Sequence, residues 1–201
     1  MRVNEAVVIS LPSRHDRLAA FSRSLPHPWP FPALKIHPGV TETPPPRWKS
    51  SAGAWGCAQA HLQVLRDIWA RGVESTLVLE DDAEFTSDFV RIWEDLKYRV
   101  PQNWHMLMLG GQHVGPTQPV GRHWLRCTET RRTHAYVIRL RAVPQLIRTW
   151  ENTSRHIDHA LGSFQRIAHV YAPARFLIGQ AAGASDISGL VHEEPRYWQP
   201  V

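Results

Sequence analysis

The sequence has little cysteine and no long apolar run, and each shortage closes off a class of protein. Only Cys57 and Cys127 occur in 201 residues, too few for the disulfide framework of a small secreted scaffold, so reduced thiols are expected. The apolar stretch Ala6 to Leu11 is far shorter than a membrane span or a signal-peptide core. A cytoplasmic protein with no transmembrane segment is the expectation. An acidic excess is missing too: the formal charge is +5 and the pI is near 9.7. That balance favours acidic partners such as a nucleotide, a phosphorylated glycolipid, an anionic membrane surface or a nucleic acid, without choosing among them. No internal repeat is visible, and 43% hydrophobic residues suffice for one continuous core, so residues 1–201 are expected to form a single domain.

Proline, by contrast, is crowded. Pro26, Pro28, Pro30, Pro32, Pro38, Pro44, Pro45 and Pro46 fall within residues 24–50. Their missing backbone donors exclude regular helix or central strand, and the segment reads as a long loop within the domain. On either side, strands and helices alternate. Ala6 to Leu11 is a β-rich run followed by a helix-compatible stretch from Arg14 to Arg23. Between Ala52 and Arg71, Trp55, Ala58, Leu62, Leu65 and Trp69 recur at steps of three and four, which predicts one buried helical stripe ended by Gly72. Ser75 to Leu79 then reads as a buried strand leading into Glu80-Asp81-Asp82. Further on come a helix from Asp88 to Arg99, strands at 104–109, 135–140 and 169–171, and helices at 143–151 and 157–166. This alternation predicts an α/β, Rossmann-like fold with a largely parallel central sheet, whose ligand crevice lies beyond the carboxyl ends of the strands.

Three consecutive acids at a strand end repel one another unless a cation or ordered water intervenes. Glu80 and Asp82, two residues apart, offer carboxylate oxygens suited to magnesium or manganese rather than zinc. A cation so held neutralises a departing diphosphate, which is what transfer from a nucleotide sugar requires. The same acids also suit a turn into the following helix, or a metal-dependent phosphatase or nuclease.

The longer pattern is more specific. Gly53-Ala54-Trp55-Gly56-Cys57-Ala58-Gln59-Ala60-His61, a helix, and then Leu77-Val78-Leu79-Glu80-Asp81-Asp82-Ala83-Glu84-Phe85 resemble glycosyltransferase family 25, which includes lipopolysaccharide and procollagen galactosyltransferases. Val8-Ile9-Ser10-Leu11 with Arg14 and Arg17 is similar to that family's first strand and arginine, and Gly179-Gln180 with Ser185-Asp186-Ile187 to its closing motif. Ser10 stands where the family usually has Asn, and Ala60 where it usually has Ser. The resemblance implies a GT-A-type fold, a UDP-sugar donor, manganese or magnesium, and inversion at the anomeric carbon.

Roles follow from that resemblance. Glu80 and Asp82 are the expected metal ligands, with Arg17, Glu80, Asp81 and Asp186 on the donor. Asp158, in His156-Ile157-Asp158-His159, is the candidate general base for the acceptor hydroxyl; it equally suits a helix start. His192 is a weaker candidate beside the metal or pyrophosphate. Thr133-His134-Ala135-Tyr136 matches the family's Thr-x-x-Tyr strand entry on the acceptor side, or a core tyrosine. Cys57 and His61 make half a zinc site for which the sequence offers no other half. The expected reaction is hexose transfer to a saccharide or glycolipid hydroxyl. The alternative is glycosylation of a hydroxymethylated pyrimidine in phage-type DNA, with Arg122, Arg126, Arg131 and Arg132 tracking phosphates. A metal-dependent hydrolase and a non-catalytic nucleotide-sugar binding module are weaker rivals.

Overall fold

Side chains of the central strands part to two faces with a period of two. Val7, Ile9, Val78, Tyr136 and Ile138 point into one core, while Ala6, Val8, Leu77, Leu79 and Val137 point into another, as strands covered on both sides require. The computed structural model describes residues 1–187 and 189–196.

The first half is built from β1 (Glu5–Ser10), α1 (His15–Ser24), β2 (Leu34–Pro38), α2 (Ala52–Ala70), β3 (Ser75–Glu80), β4 (Ala83–Phe85) and α3 (Phe89–Leu96). Short strands follow: β5 (Met106–Met108), β6 (Gln112–His113), β7 (Gln118–Val120), β8 (Trp124–Arg126) and β9 (Thr130–Arg131). The remainder comprises β10 (Ala135–Arg139), α4 (Val143–Glu151), α5 (Ile157–Ile167), β11 (Val170–Pro173), β12 (Ile178–Gln180), β13 (Gly183–Ala184) and β14 (Val191–His192).

Eight strands form one sheet in the order β2-β1-β3-β10-β5-β11-β8-β7. Six run in one direction and two, β10 and β8, run against them. Helices α2, α4 and α5 cover one face; Phe21 of α1 and Phe89, Trp93 and Leu96 of α3 cover the other. The mixed α/β architecture with a mostly parallel central sheet is therefore as expected. Chain order reverses at β1: β2 lies on one side of it and β3 on the other. Such a switch point opens a crevice beyond the strands' carboxyl ends, between two loops that leave in opposite directions.

Two local expectations are corrected. The proline-rich segment contains β2, which pairs in parallel with β1 from Ala6↔Leu34 to Ser10↔Pro38. Leu34 to His37 is a proline-free stretch, and an edge position tolerates Pro38 at its end because one side of the strand donates to nothing. Along α2, Trp69 is 50% exposed, and Ile68 takes the inward position instead. The buried stripe runs through Ala54, Ala58, Leu62, Leu65 and Ile68, and Trp69 falls on the rim in the last turn. Gly72, with φ of 66°, follows the helix end as the sequence suggested, in a conformation that glycine adopts without strain.

Candidate active site

The carboxyl ends of β1 and β3 open into a cavity of about 630 Å³. Arg17, Glu80, Asp81, Asp82, Asp158 and Asp186, the six residues singled out from the sequence, all line it. His61, Thr133 and His192 do so as well. Residues separated by 169 positions in the chain thus share one chamber, because the switch point faces the N-terminus of α2, the start of α5 and the segment after β12.

The three acids each have a different environment. Glu80 leaves the end of β3, where its amide donates to the His134 carbonyl (2.9 Å) and continues the ladder with β10. Its Oε1 accepts from Thr133 Oγ1 at 2.8 Å and lies 3.3 Å from His61 Nε2. His61 is completely buried, and its other ring nitrogen lies 3.0 Å from the Tyr136 hydroxyl. Tyr136 is fully buried, so the tyrosine is a core residue that braces a cavity residue. Burial opposes the Glu80 charge, but the His61 and Thr133 bonds prevail and hold its pKa below the usual carboxylate range.

Asp81 accepts from Ser10 Oγ at 2.6 Å and pairs with Arg17 Nη2 at 2.7 Å. Burial nevertheless raises its pKa against the pull of Arg17. Ser10, which departs from the family pattern, thus keeps a polar link to the acidic turn. Asp82 Oδ2 accepts from Gln180 Nε2 at 3.0 Å and lies 3.3 Å from Arg17 Nη2. Its Oδ1 is buried and has no hydrogen-bond partner among the described residues. Burial, then the charge of Glu80, pushes the Asp82 carboxyl up to about 7. A buried carboxylate oxygen without a donor is costly, and it has an acceptor lone pair free for a hydrogen-bond donor or a cation.

Arg17 is not a solvated helix side chain. Besides Asp81 and Asp82, it pairs with Asp186 through Nη1 at 2.6 Å. Arg14 holds the same Asp186 through Nη1, at 2.8 Å and 2.9 Å from its two carboxylate oxygens. The segment carrying Asp186 is also tied to α2: Ser51 Oγ caps that helix by accepting from the Ala54 amide (3.1 Å) and donates to the Ile187 carbonyl (2.8 Å). The motif glycines make this closure possible. A Cβ on Gly53 would lie 2.2 Å from the Asp186 carbonyl oxygen, and one on Gly56 2.0 Å from that of Val40.

Asp158 occupies the first turn of α5, as a helix-start residue would, and also borders the cavity. Its Oδ1 is buried with no hydrogen-bond partner among the described residues, the nearby His159 Nε2 being 3.7 Å away. The wall beside it includes Arg132, whose φ of 77° is unusual for a residue with a Cβ. The sequence marked Arg132 only as one of a basic group, not as part of the cavity wall. The bonds of Ser10, Thr133 and Gln180 to the acids also went unassigned, although all three lie within segments that carried the resemblance and Thr133 was expected on the acceptor side.

The arginines expected to track a nucleic acid are largely turned to the chain itself. Arg126 donates to the carbonyls of Val170 and Gln165 at 3.2 Å and 3.1 Å. Arg131 pairs with Glu129 at 2.9 Å, and Arg132 donates to Gln112 Oε1 at 3.0 Å and 3.3 Å.

Within this chamber, the Gly-Ala-Trp-Gly-Cys turn of α2 and the acids after β3 lie on one continuous stretch of chain, and a known family matches that stretch. Residues 42–114 match the model of glycosyltransferase family 25 (LPS biosynthesis protein). The family 25 segment covers just over a third of the chain and contains the α2 motif and all three acids. A human protein named inactive glycosyltransferase 25 family member 3 is 34% identical over 68 residues, which is 32% of this chain and 11% of the human protein. The chain therefore spans only a small part of that relative. Among solved structures, A197 from STIV superposes with a TM-score of 0.50 at 10% identity, covering 100% of this chain and 98% of A197. UDP-glucose pyrophosphorylase complexed with UDP-glucose gives 0.46 at 8% identity over 85% and 90% of the two chains. A glycosyltransferase involved in glycosylation of the PBCV-1 major capsid gives 0.40 at 10% identity over 73% and 65%. Residues 42–114 are thus similar to family 25, and the superposition along the whole chain shows that the α/β fold is shared with A197. Among the described residues no helix is long and apolar enough to cross a membrane.

Proposed function

We propose that the protein is a metal-dependent, inverting glycosyltransferase that moves a hexose from a UDP-sugar to an acceptor hydroxyl on a saccharide or glycolipid. The observation that carries this reading is the meeting of Asp82, with its partnerless buried oxygen, and Asp158, with another, in one cavity at the switch point. Transfer needs charge stabilisation on one side of the anomeric carbon and a proton acceptor on the other.

Asp82 and Glu80 would hold a divalent ion of the magnesium or manganese class, since both offer oxygen and Asp82 Oδ1 lacks a partner. When bound, that ion supplies neutralisation of the diphosphate charge. The remaining work belongs to the chain. Arg17 and Asp81 orient the donor's phosphate and ribose end beside β1, and Asp186 closes over it from the far side, anchored by Arg14 and Ser51. Asp158 accepts the proton of the acceptor hydroxyl as its oxygen attacks the anomeric carbon. The bond from that carbon to the diphosphate oxygen breaks, and its electron pair leaves with UDP. Glu80, kept ionised by Thr133 and His61, does not compete for that proton.

A family 25 relative named as inactive makes turnover the property to test. UDP release from a panel of UDP-hexoses is measured with saccharide, glycolipid and hydroxymethylated duplex DNA acceptors. Saccharide- or glycolipid-dependent release that falls roughly 100- to 10,000-fold in Asp158→Asn, with UDP affinity retained, is the expected result. Release of free sugar without acceptor would indicate a hydrolase, and UDP binding with no release under any condition a binding module. Release only with DNA would instead favour the nucleic-acid acceptor, despite the inward-turned arginines.

A further inference from the structure

Cys57 and His61 lie four residues apart on α2 and so share one face of that helix. Alone they are half a tetrahedral site. The fold brings a third ligand to them: Cys57 Sγ, a ring nitrogen of His61 and a carboxylate oxygen of Glu80 all lie within 4.8 Å of one another. The 3.3 Å from His61 Nε2 to Glu80 Oε1 is about the spacing of two ligands on one tetrahedral ion with bonds of ~2 Å.

Two outer contacts orient the triad. The Tyr136 hydroxyl at His61 Nδ1 keeps the ring turned with Nε2 towards the carboxylate, and both residues are fully buried. Thr133 donates to Glu80 Oε1 at 2.8 Å. Partners of this kind fix ring orientation and carboxylate geometry around protein-bound metals. Cys57, His61 and Glu80 all border the cavity, which leaves room for water in a fourth position.

We propose that Cys57, His61 and Glu80 bind a soft divalent ion of the zinc class, distinct in ligand chemistry from the oxygen site at Asp82. On binding, the Cys57 thiol gives its proton to solvent and its sulfur joins the ion as thiolate. Because Glu80 is shared with the donor site, the zinc-loaded protein binds UDP more weakly. That consequence rests on the proposed function; the binding itself does not.

Cobalt titration of the metal-free full chain, followed by absorption, tests the site. The expected result is saturation near roughly one equivalent, with a thiolate-to-cobalt charge-transfer band that zinc abolishes. The band disappears in Cys57→Ser and persists in Cys127→Ser. Its absence from the wild-type protein, or its survival in Cys57→Ser, overturns the proposal. A readout on the unaltered chain guards against a variant that fails to fold: zinc slows alkylation of Cys57, and an unchanged rate overturns the site. UDP titration then separates the two claims. A zinc site in a protein that never binds UDP defeats the transferase reading alone, whereas UDP binding that zinc leaves unaltered defeats the shared-Glu80 consequence.

Discussion

Three carboxylates, from Asp81, Asp82 and Asp186, converge on the one guanidinium of Arg17. That cation offsets part of the repulsion among the acids, and it also competes with any divalent ion they would hold. Arg17→Ala should therefore bind manganese more tightly than wild type in the absence of nucleotide, by roughly three- to tenfold, while binding UDP less well. Manganese titration without nucleotide checks the sign; weaker metal binding in the variant would mean that Arg17 organises the acids rather than competing for them. The acids themselves were legible in the sequence, because three in a row after a buried run have few uses. Their partners were not. Ser10 meets Asp81 across 71 residues and Gln180 meets Asp82 across 98, and nothing local distinguishes such a serine or glutamine from any other polar residue.

Contacts between elements tie β1 to β2 and to the end of α2 at the amino end of the strand, away from the crevice. Glu5 on β1 is buried, accepts two bonds from Arg71 at 2.6 Å and 2.9 Å, and also pairs with Lys35 of β2. The Arg71 bonds, against the opposing effect of burial, hold its pKa below the usual glutamate value. A lowered carboxylate pKa adds stability that is complete above the unfolded value and is lost as pH falls through the folded one. Glu5→Gln should cost about 2 kcal/mol near neutral pH, and the difference from wild type should shrink as the pH drops below the ordinary glutamate range. Urea unfolding at neutral and acid pH measures this, and a pH-independent difference would contradict it. Packing of α2 gives a second case. Gly56→Ala puts a Cβ 2.0 Å from a backbone oxygen and should destabilise by about 1–3 kcal/mol while loosening the cavity wall at Val40. Gly72→Ala meets nothing within 4 Å and should cost only the backbone strain of its positive φ, about 1 kcal/mol. Equal losses in the two variants would show that α2 does not need the close approach. At this scale β1 and β3 were readable as short continuous apolar runs and α2 as a stripe at steps of three and four, while α4 gave a weaker signal. The edge strand β2 was hidden by flanking prolines, and short strands such as β6, β9 and β12 carry too few residues to show a period.

Across the whole molecule, the sheet order places the acids, the start of α5 and the closing segment around one chamber, and this assembly gives the resemblance its chemical content. The α/β class followed from alternation alone. The reversed strands β10 and β8 did not, since their composition matches that of their parallel neighbours and only pairing fixes direction. Of the arginines expected to track phosphates, Arg126, Arg131 and Arg132 make contacts within the chain. What remains central is the donor site proposed at Asp82. Calorimetric titration of UDP, with and without manganese, into the wild-type protein and into Asp82→Ala tests it most directly. The account predicts manganese-dependent binding in the wild type that is lost in the variant; UDP binding that needs no metal, or that survives in Asp82→Ala, would contradict it.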